Sequence, residues 1–327
     1  MATLLFRSSL APRLEAFLET VRQGNGDRGM CHLKILRALD RFFVAELKPG
    51  KPITRDLIER FSESMSHLAT GTRINRLSVL RQFCMYLSHF DPRTCLVYRS
   101  FLPHRTRGAP YIYTRADVQR IMKAARKLGP KGSLRPFVVS TLIGLLYTTG
   151  IRIGEALNLR LGDVDIRRRL IEIREGKFKK SRYVPMSVST TSEMRAYLER
   201  RKRAGFSTAP SAYVFLNIIG TRHGHPGFVT IFLKLLRSIG LRGPKGACGP
   251  RIHDLRHTFA VNRLLAWYRQ GVNLGSKLPL LATYLGHTTV TGTQVYLHAT
   301  AELLESAGRR FHEHFAIPAS LRKSYKP

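Results

Sequence analysis

Thr149-Gly-Ile-Arg-Ile-Gly-Glu-Ala-Leu157 comes one residue after the apolar run Phe137–Tyr147 (FVVSTLIGLLY). That run reads as a buried helix over Arg135–Tyr147, because it is apolar on all sides. The Thr-Gly pair then makes a turn, and Arg152 comes just after it, with Glu155 one helical turn further on. An arginine after a Thr-Gly turn is common, so the stretch means little alone. Its weight comes from three later segments, taken in order. Leu161-Gly-Asp163-Val164 is next, with Asp163 read as a structural carboxylate. Then come two strand-like runs, Leu170–Ile173 (LIEI) and Arg182–Pro185 (RYVP), around the basic turn Gly176-Lys177-Phe-Lys-Lys-Ser181. His253-Asp-Leu-Arg256-His-Thr-Phe-Ala260 is third. Leu285-Gly-His287 is last, and Tyr296 lies nine residues past that histidine.

The rest of this half is helical and mixed with the hairpin. Thr114 caps a helix carrying Val118, Ile121, Met122 and Ala125 on one face. Further helices are expected at Ser192–Arg203, Phe228–Ser238, Leu255–Tyr268, Pro279–Leu285 and Ala301–Phe315. The first hundred residues are different, with helical stripes and no alternating pattern. Helices at Leu10–Val21, His32–Leu47, Thr54–Phe61 and Ile74–Leu87 form a bundle core and leave an outer face with Arg73, Arg76 and Arg81. Ser100–Pro110 (SFLPHRTRGAP) reads as a linker. Two domains are therefore expected, at 1–106 and 110–327.

Charge says what kind of partner to look for. The 327 residues hold 55 Lys and Arg against 21 Asp and Glu, a formal net charge of +34. Residues 1–108 carry +9 and residues 109–327 carry +25. A folding-competent chain this basic calls for a polyanion. A membrane is excluded as the partner because the longest apolar stretch is too short to span a bilayer. The N-terminus has no sustained apolar core ending in a cleavage site, so no signal peptide is read. Cys31, Cys84, Cys95 and Cys248 lack C-x-x-C spacing and suit buried thiols in a reducing, cytoplasmic setting.

The four segments, in this order and with this spacing, resemble the catalytic domain of the tyrosine recombinases, the phage-integrase and Xer-like site-specific DNA recombinases. The resemblance is close over about 110–300 and architectural only before that. It implies an all-α N-terminal core-binding domain that clamps DNA, plus a mixed α/β catalytic domain, mainly helical with a small antiparallel sheet. It also implies double-stranded DNA as partner, a homo-tetramer in a synaptic complex and accessory proteins, in the service of a mobile element or a chromosome. Two departures stand out. Phe178 sits where the family usually has Gly, and the interval from Arg256 to His287 is longer, with Trp267–Lys277 as the extra part.

The chemistry of phosphodiester cleavage fits these residue types. An in-line nucleophile is needed, with cations to offset charge on the non-bridging oxygens. Arginine donates through a planar fork and stays charged at any working pH. The resemblance gives Arg152 and Arg256 to the scissile phosphate, with His287 as a third donor. It gives Tyr296 the attack, Lys177 the protonation of the leaving 5′-oxygen, and His253 the proton transfer at the tyrosine. Glu155 would orient the cluster. Tyr284 lies in an apolar run and reads as core, whereas His257 and His298 read as supporting or structural residues.

No cofactor or metal is expected. His223-Gly-His225 with Cys248 lacks zinc-ligand spacing, there is no phosphate-binding G-x-x-x-x-G-K-[ST] loop, and no acidic cluster suggests a two-metal nuclease. Three rival readings remain. A topoisomerase IB-like relaxing enzyme would keep the chemistry and work as a monomer. A non-catalytic DNA-binding protein would keep only the scaffold. A basic RNA-binding or ribosomal protein would explain the charge but not the order of motifs. The C-terminal helix Ala301–Phe315, apolar along one side, would dock on its own domain or on a neighbouring protomer.

Overall fold

The helical stripes of the first hundred residues become four helices: α1 (Ala11–Gly24), α2 (Gly26–Glu46), α3 (Arg55–Ser64) and α4 (Thr70–Leu87). This is a computed structural model. It describes residues 5–24, 26–98, 101, 103, 110–174 and 181–286, with backbone alone for 26–30. Leu14, Phe17, Leu36, Leu39, Phe43, Phe61 and Phe83 share one core. Phe17 meets Phe83 edge-on at 5.6 Å between ring centres, a preferred aromatic geometry. Buried Asp40 ties down the leading segment by accepting from the amides of Arg7 and Ser8 at 2.8 and 2.9 Å. Thr54 caps α3 through the Leu57 amide.

Two sequence expectations change here. Arg73, Arg76 and Arg81 are half-buried rather than fully exposed, because an arginine stem can lie along apolar surface with only its head in water. Of the four thiols only Cys84 is buried, and burial pushes it up to about 12; Cys31 and Cys248 are exposed.

The chain separates into two compact units, Met1–Gly108 and Ala109–Pro327. The second begins with α5 (Arg115–Ala125), which opens with a capping box between Thr114 and Asp117. Next is α6 (Arg135–Thr149), packed against α5 and two later helices, α8 (Val188–Arg203) and α10 (Asp254–Arg269). Neighbours on several sides explain why the α6 sequence is apolar all round. Val138, Val139, Leu142, Ile143, Leu145 and Leu146 are all buried.

The short α7 (Ile153–Asn158) leads to an antiparallel sheet, ordered β1 (Val164–Asp165), β2 (Leu170–Ile173), β3 (Arg182–Pro185). In the β2–β3 register Ile171 faces Val184 and Ile173 faces Arg182. Ile171, Ile173 and Val184 point into the core, which is the period-2 pattern of a half-buried sheet. β1 was not foreseen; two residues are too short to show alternation. The remaining helices are α9 (His225–Ser238) and α11 (Leu274–Leu285).

The expected extra part Trp267–Lys277 is not a long loop. It comprises the end of α10, a tight connection and the first turn of α11. Trp267 and Leu274 pack on a small core of Val261, Leu264, Leu278, Leu281 and Leu285. Nor does α11 begin at Pro279. Asn273 caps it by accepting from the Gly275 amide at 2.8 Å, and an Asn cap sets a helix start as well as a proline does. Among the described residues no helix is long and apolar enough to cross a membrane.

Candidate active site

Two helices end at the same place. α6 closes with Gly150 in the left-handed conformation (φ 64°), and α11 closes with Gly286 (φ 66°). Glycine adopts this conformation without steric penalty, and it turns the last carbonyls of a helix outward. A Cβ on Gly150 would sit 2.4 Å from the Phe259 ring, so α10 packs directly against that turn. The carbonyls at these two ends are met by arginines.

Arg152 stands at the N-cap of α7. Its Nη1 donates to Glu155 Oε1 at 2.8 Å and its Nη2 to the Gly286 carbonyl at 2.7 Å. Its backbone amide donates to Glu155 Oε2 at 3.0 Å. Arg256, on the first turn of α10, is only 2% exposed. Its Nη1 donates to the Gly150 carbonyl at 2.8 Å and its Nη2 to the Leu285 carbonyl. A third arginine, Arg182 on β3, donates from Nε to the Tyr284 carbonyl at 2.8 Å. It also grips both oxygens of Glu155, at 3.2 and 2.7 Å. Glu155 has a lowered pKa. Burial alone would raise it, and the hydrogen bonds and charge of Arg182, together with the bonds from Arg152, overcome that effect.

His253 immediately precedes α10 and feels the charge of Arg152 and Arg256. Burial lowers its pKa to about 4, with His257, Arg256 and Arg152 pushing the same way and Asp254 opposing. Its ring is therefore neutral at neutral pH, with a lone pair able to accept a proton. His257 lies perpendicular to it at 4.8 Å and is lowered chiefly by burial too. The turn into α10 is fixed by Asp254, which is 1% exposed and accepts from the Arg251 amide at 2.8 Å and from the Arg251 guanidinium at 3.0 Å. Thr258 completes the lock, donating to the Asp254 carbonyl and accepting the Tyr113 amide.

Of the six residues read from the sequence, Arg152, His253 and Arg256 thus come together. Lys177, His287 and Tyr296 lie outside the described residues, as do His298 and the segment Ala301–Phe315. Tyr284 is partly buried in the core. It stacks on Phe259 at 5.4 Å and donates to the Thr149 carbonyl at 2.9 Å, and burial pushes its hydroxyl up to about 12. Asp163 is structural, accepting the Arg160 amide at 2.8 Å and pairing with Arg174. The sequence reading assigned no role to Arg182 or Asp254. Both lie inside the quoted motifs, Arg182 in the strand after the basic turn and Asp254 between His253 and Arg256, and that position was the available signal.

Buried Arg256 and half-buried Arg152, with Glu155 on Arg152 and a neutral histidine before α10, gather where two helix ends meet, and such a cluster can hold a charged phosphodiester. The chain belongs to the phage integrase family, whose sequence model matches residues 112–302. It is 40% identical over 262 residues to a Sinorhizobium fredii protein named as an integrase/recombinase, y4rB, covering 79% of this chain and 83% of that one. It is 30% identical over 213 residues to the tyrosine recombinase XerC of Oceanobacillus iheyensis, covering 64% of each. In fold it matches the Tn1549 transposon integrase solved in complex with transposon right end DNA. That match has a TM-score of 0.67 and 18% identity, and it covers 93% of this chain and 99% of that one. The mainly helical unit with its three-stranded sheet is thus the tyrosine recombinase catalytic fold.

Proposed function

We propose that this chain is a site-specific DNA recombinase that cuts and rejoins duplex DNA through Tyr296, with Arg152 and Arg256 holding the scissile phosphate. The observation carrying this reading is the convergence of those two arginines with a neutral His253 at the junction of α6, α7, α10 and α11. The net charge of +34 supports a polyanionic substrate. The DNA-bound state of the solved Tn1549 integrase supports double-stranded DNA in particular.

In this reading the Tyr296 hydroxyl oxygen attacks phosphorus in line with the bond to the 5′-oxygen. Its proton passes to His253, whose lone pair the lowered pKa keeps available. The P–O5′ bond breaks, Lys177 protonates the departing oxygen, and a 3′-phosphotyrosyl ester and a 5′-hydroxyl remain. Arg152, Arg256 and His287 donate to the non-bridging oxygens as charge builds there. The ester conserves the phosphodiester energy, so a second 5′-hydroxyl can reverse the step without ATP. The cations are side chains, so no metal is required. Exchange between two sites needs several copies, and a homo-tetramer with each copy's helical first domain against the duplex serves it.

Covalent capture tests this. The protein is incubated in EDTA with a pool of nicked genomic duplexes, denatured in SDS, and the attached DNA is sequenced beside a Tyr296→Phe control. Adducts from the wild type alone, sharing one end sequence, are expected. Equal trapping by the variant would move the nucleophile elsewhere. Tight binding with no adduct would favour a silent DNA-binding protein. Relaxed circles without exchange between two captured sites would favour the topoisomerase-like alternative.

A further inference from the structure

Three consecutive carbonyls at the end of α11 each meet a different arginine: Tyr284 receives Arg182, Leu285 receives Arg256, and Gly286 receives Arg152. A helix C-terminus carries partial negative charge, and cations there are favourable. Two of these arginines belong to the proposed phosphate pair, and the third does not. Arg182 is 11% exposed at its side chain, and its Nε, Nη1 and Nη2 are all engaged within the protein. Those bonds tie it to Glu155 and to the end of α11.

The charge balance around Glu155 gives Arg182 its task. That carboxylate orients Arg152 through the guanidinium and the backbone amide together. Alone, it would also cancel the charge Arg152 brings to a phosphate, since the pair sums to zero. The side chain of Glu155 is 8% exposed, so water screens little of that effect. Arg182 binds both oxygens of Glu155 in a fork, a geometry lysine cannot reproduce. The three groups together carry one net positive charge, and Arg152 is the most exposed of them, at 22%. The same guanidinium fixes β3 to the end of α11, just before His287 in the sequence.

We infer that Arg182 is a positioning residue for DNA cleavage, which neutralises Glu155 so that Arg152 can be oriented without losing its charge, and which pins the last turn of α11. The inference rests on the recombinase reading above. It separates Arg182 from the phosphate contacts, because it acts through Glu155 and a backbone carbonyl.

The test compares wild type, Arg182→Met, Arg182→Lys, Glu155→Gln and the double variant Arg182→Met/Glu155→Gln on the same nicked duplex pool. Adduct rate, DNA affinity at several salt concentrations and thermal midpoint are all read. Arg182→Met is expected to slow adduct formation by at least ~10-fold, as loss of an oriented charge would. Arg182→Lys should fall between that and wild type. Affinity should hold within about threefold and the slope of log affinity on log salt should not change, whereas losing a phosphate contact lowers that slope by about one. Adding Glu155→Gln to Arg182→Met should recover at least about threefold in rate, because the uncompensated carboxylate is gone; independent structural losses would instead add. Normal rates in Arg182→Met, a lowered salt slope, or a double variant slower than both singles would each overturn the inference. If Arg182→Met does not fold, Arg182→Lys against Arg182→Lys/Glu155→Gln makes the same comparison. A wild type that binds but never cleaves defeats the recombinase reading first, and the inference with it.

Discussion

Arg201 and Arg256 are equally buried, each 2% exposed, and each pins two backbone carbonyls. Arg201, on the last turn of α8, holds the Ser207 and Tyr213 carbonyls and lies over the Phe206 ring. Burial lowers its pKa. It staples a loop. Arg256 holds the Gly150 and Leu285 carbonyls, and around it gather Arg152, Arg182, Glu155 and His253. Burial of an arginine therefore does not mark a site in this fold. Convergence does, and so does the place where it happens, since helix ends supply polar backbone that a phosphate can replace or supplement.

The largest expected effect separates these two arginines. Arg256→Lys should cut adduct formation on the order of 100-fold, the scale of losing one transition-state donor. Arg201→Lys should leave it within about threefold and instead destabilise the unit. Losing the fork leaves buried carbonyls short of donors, at about 1–3 kcal/mol, and each kcal/mol lowers Tm by about 2–4 °C in a unit of this size. Adduct assays and thermal melts on both variants decide it. A comparable loss of cleavage in both would erase the distinction.

A second comparison pairs two glycines of similar backbone. Gly286 and Gly240 have φ of 66° and 72°, so alanine at either is strained, at about 1 kcal/mol. Around Gly240 a Cβ meets nothing within 4 Å, whereas at Gly286 it comes 3.2 Å from Nη1 of both Arg152 and Arg182. Gly240→Ala should lower Tm and spare cleavage. Gly286→Ala should lower Tm similarly and slow adduct formation by roughly 10-fold, because shifted guanidinium groups lose their aim. Equal cleavage by the two variants would mean that the end of α11 does not govern the arginines.

Much of this arrangement was legible beforehand. The order of motifs placed Arg152, His253 and Arg256 in one fold, and apolar periodicity located the helices of both units. What was hidden has physical causes. Arg182 looked like an ordinary strand arginine, because its partners, Glu155 and the Tyr284 carbonyl, are 27 and 102 residues away. The start of α11 was read at Pro279, five residues inside the helix, and its Asn273 cap was missed. β1 gave no pattern at two residues. Long-range polar contacts to backbone leave no period in a sequence, whereas cores do.

The smallest expected effect concerns His253 beside the same arginines. Its pKa is lowered to about 4 from the usual 6.5, first by burial and then by His257 and the neighbouring arginines, so the folded state resists protonation. Between those values the unfolded chain binds a proton that the folded chain does not. Stability from this group is therefore complete above about pH 6.5 and declines as pH falls toward 4. His257 and His223 are lowered as well, chiefly by burial, and contribute in the same direction. Thermal midpoints of wild type and His253→Gln from pH 7.5 to 4.5 isolate the share of His253. The variant's midpoint should decline less steeply with falling pH, by a few degrees over the range. Parallel curves would mean that His253 is protonated as readily in the folded chain as in the unfolded one. Its lone pair would then not be held open by burial at this site, and the contrast with Arg201 would rest on the arginines alone.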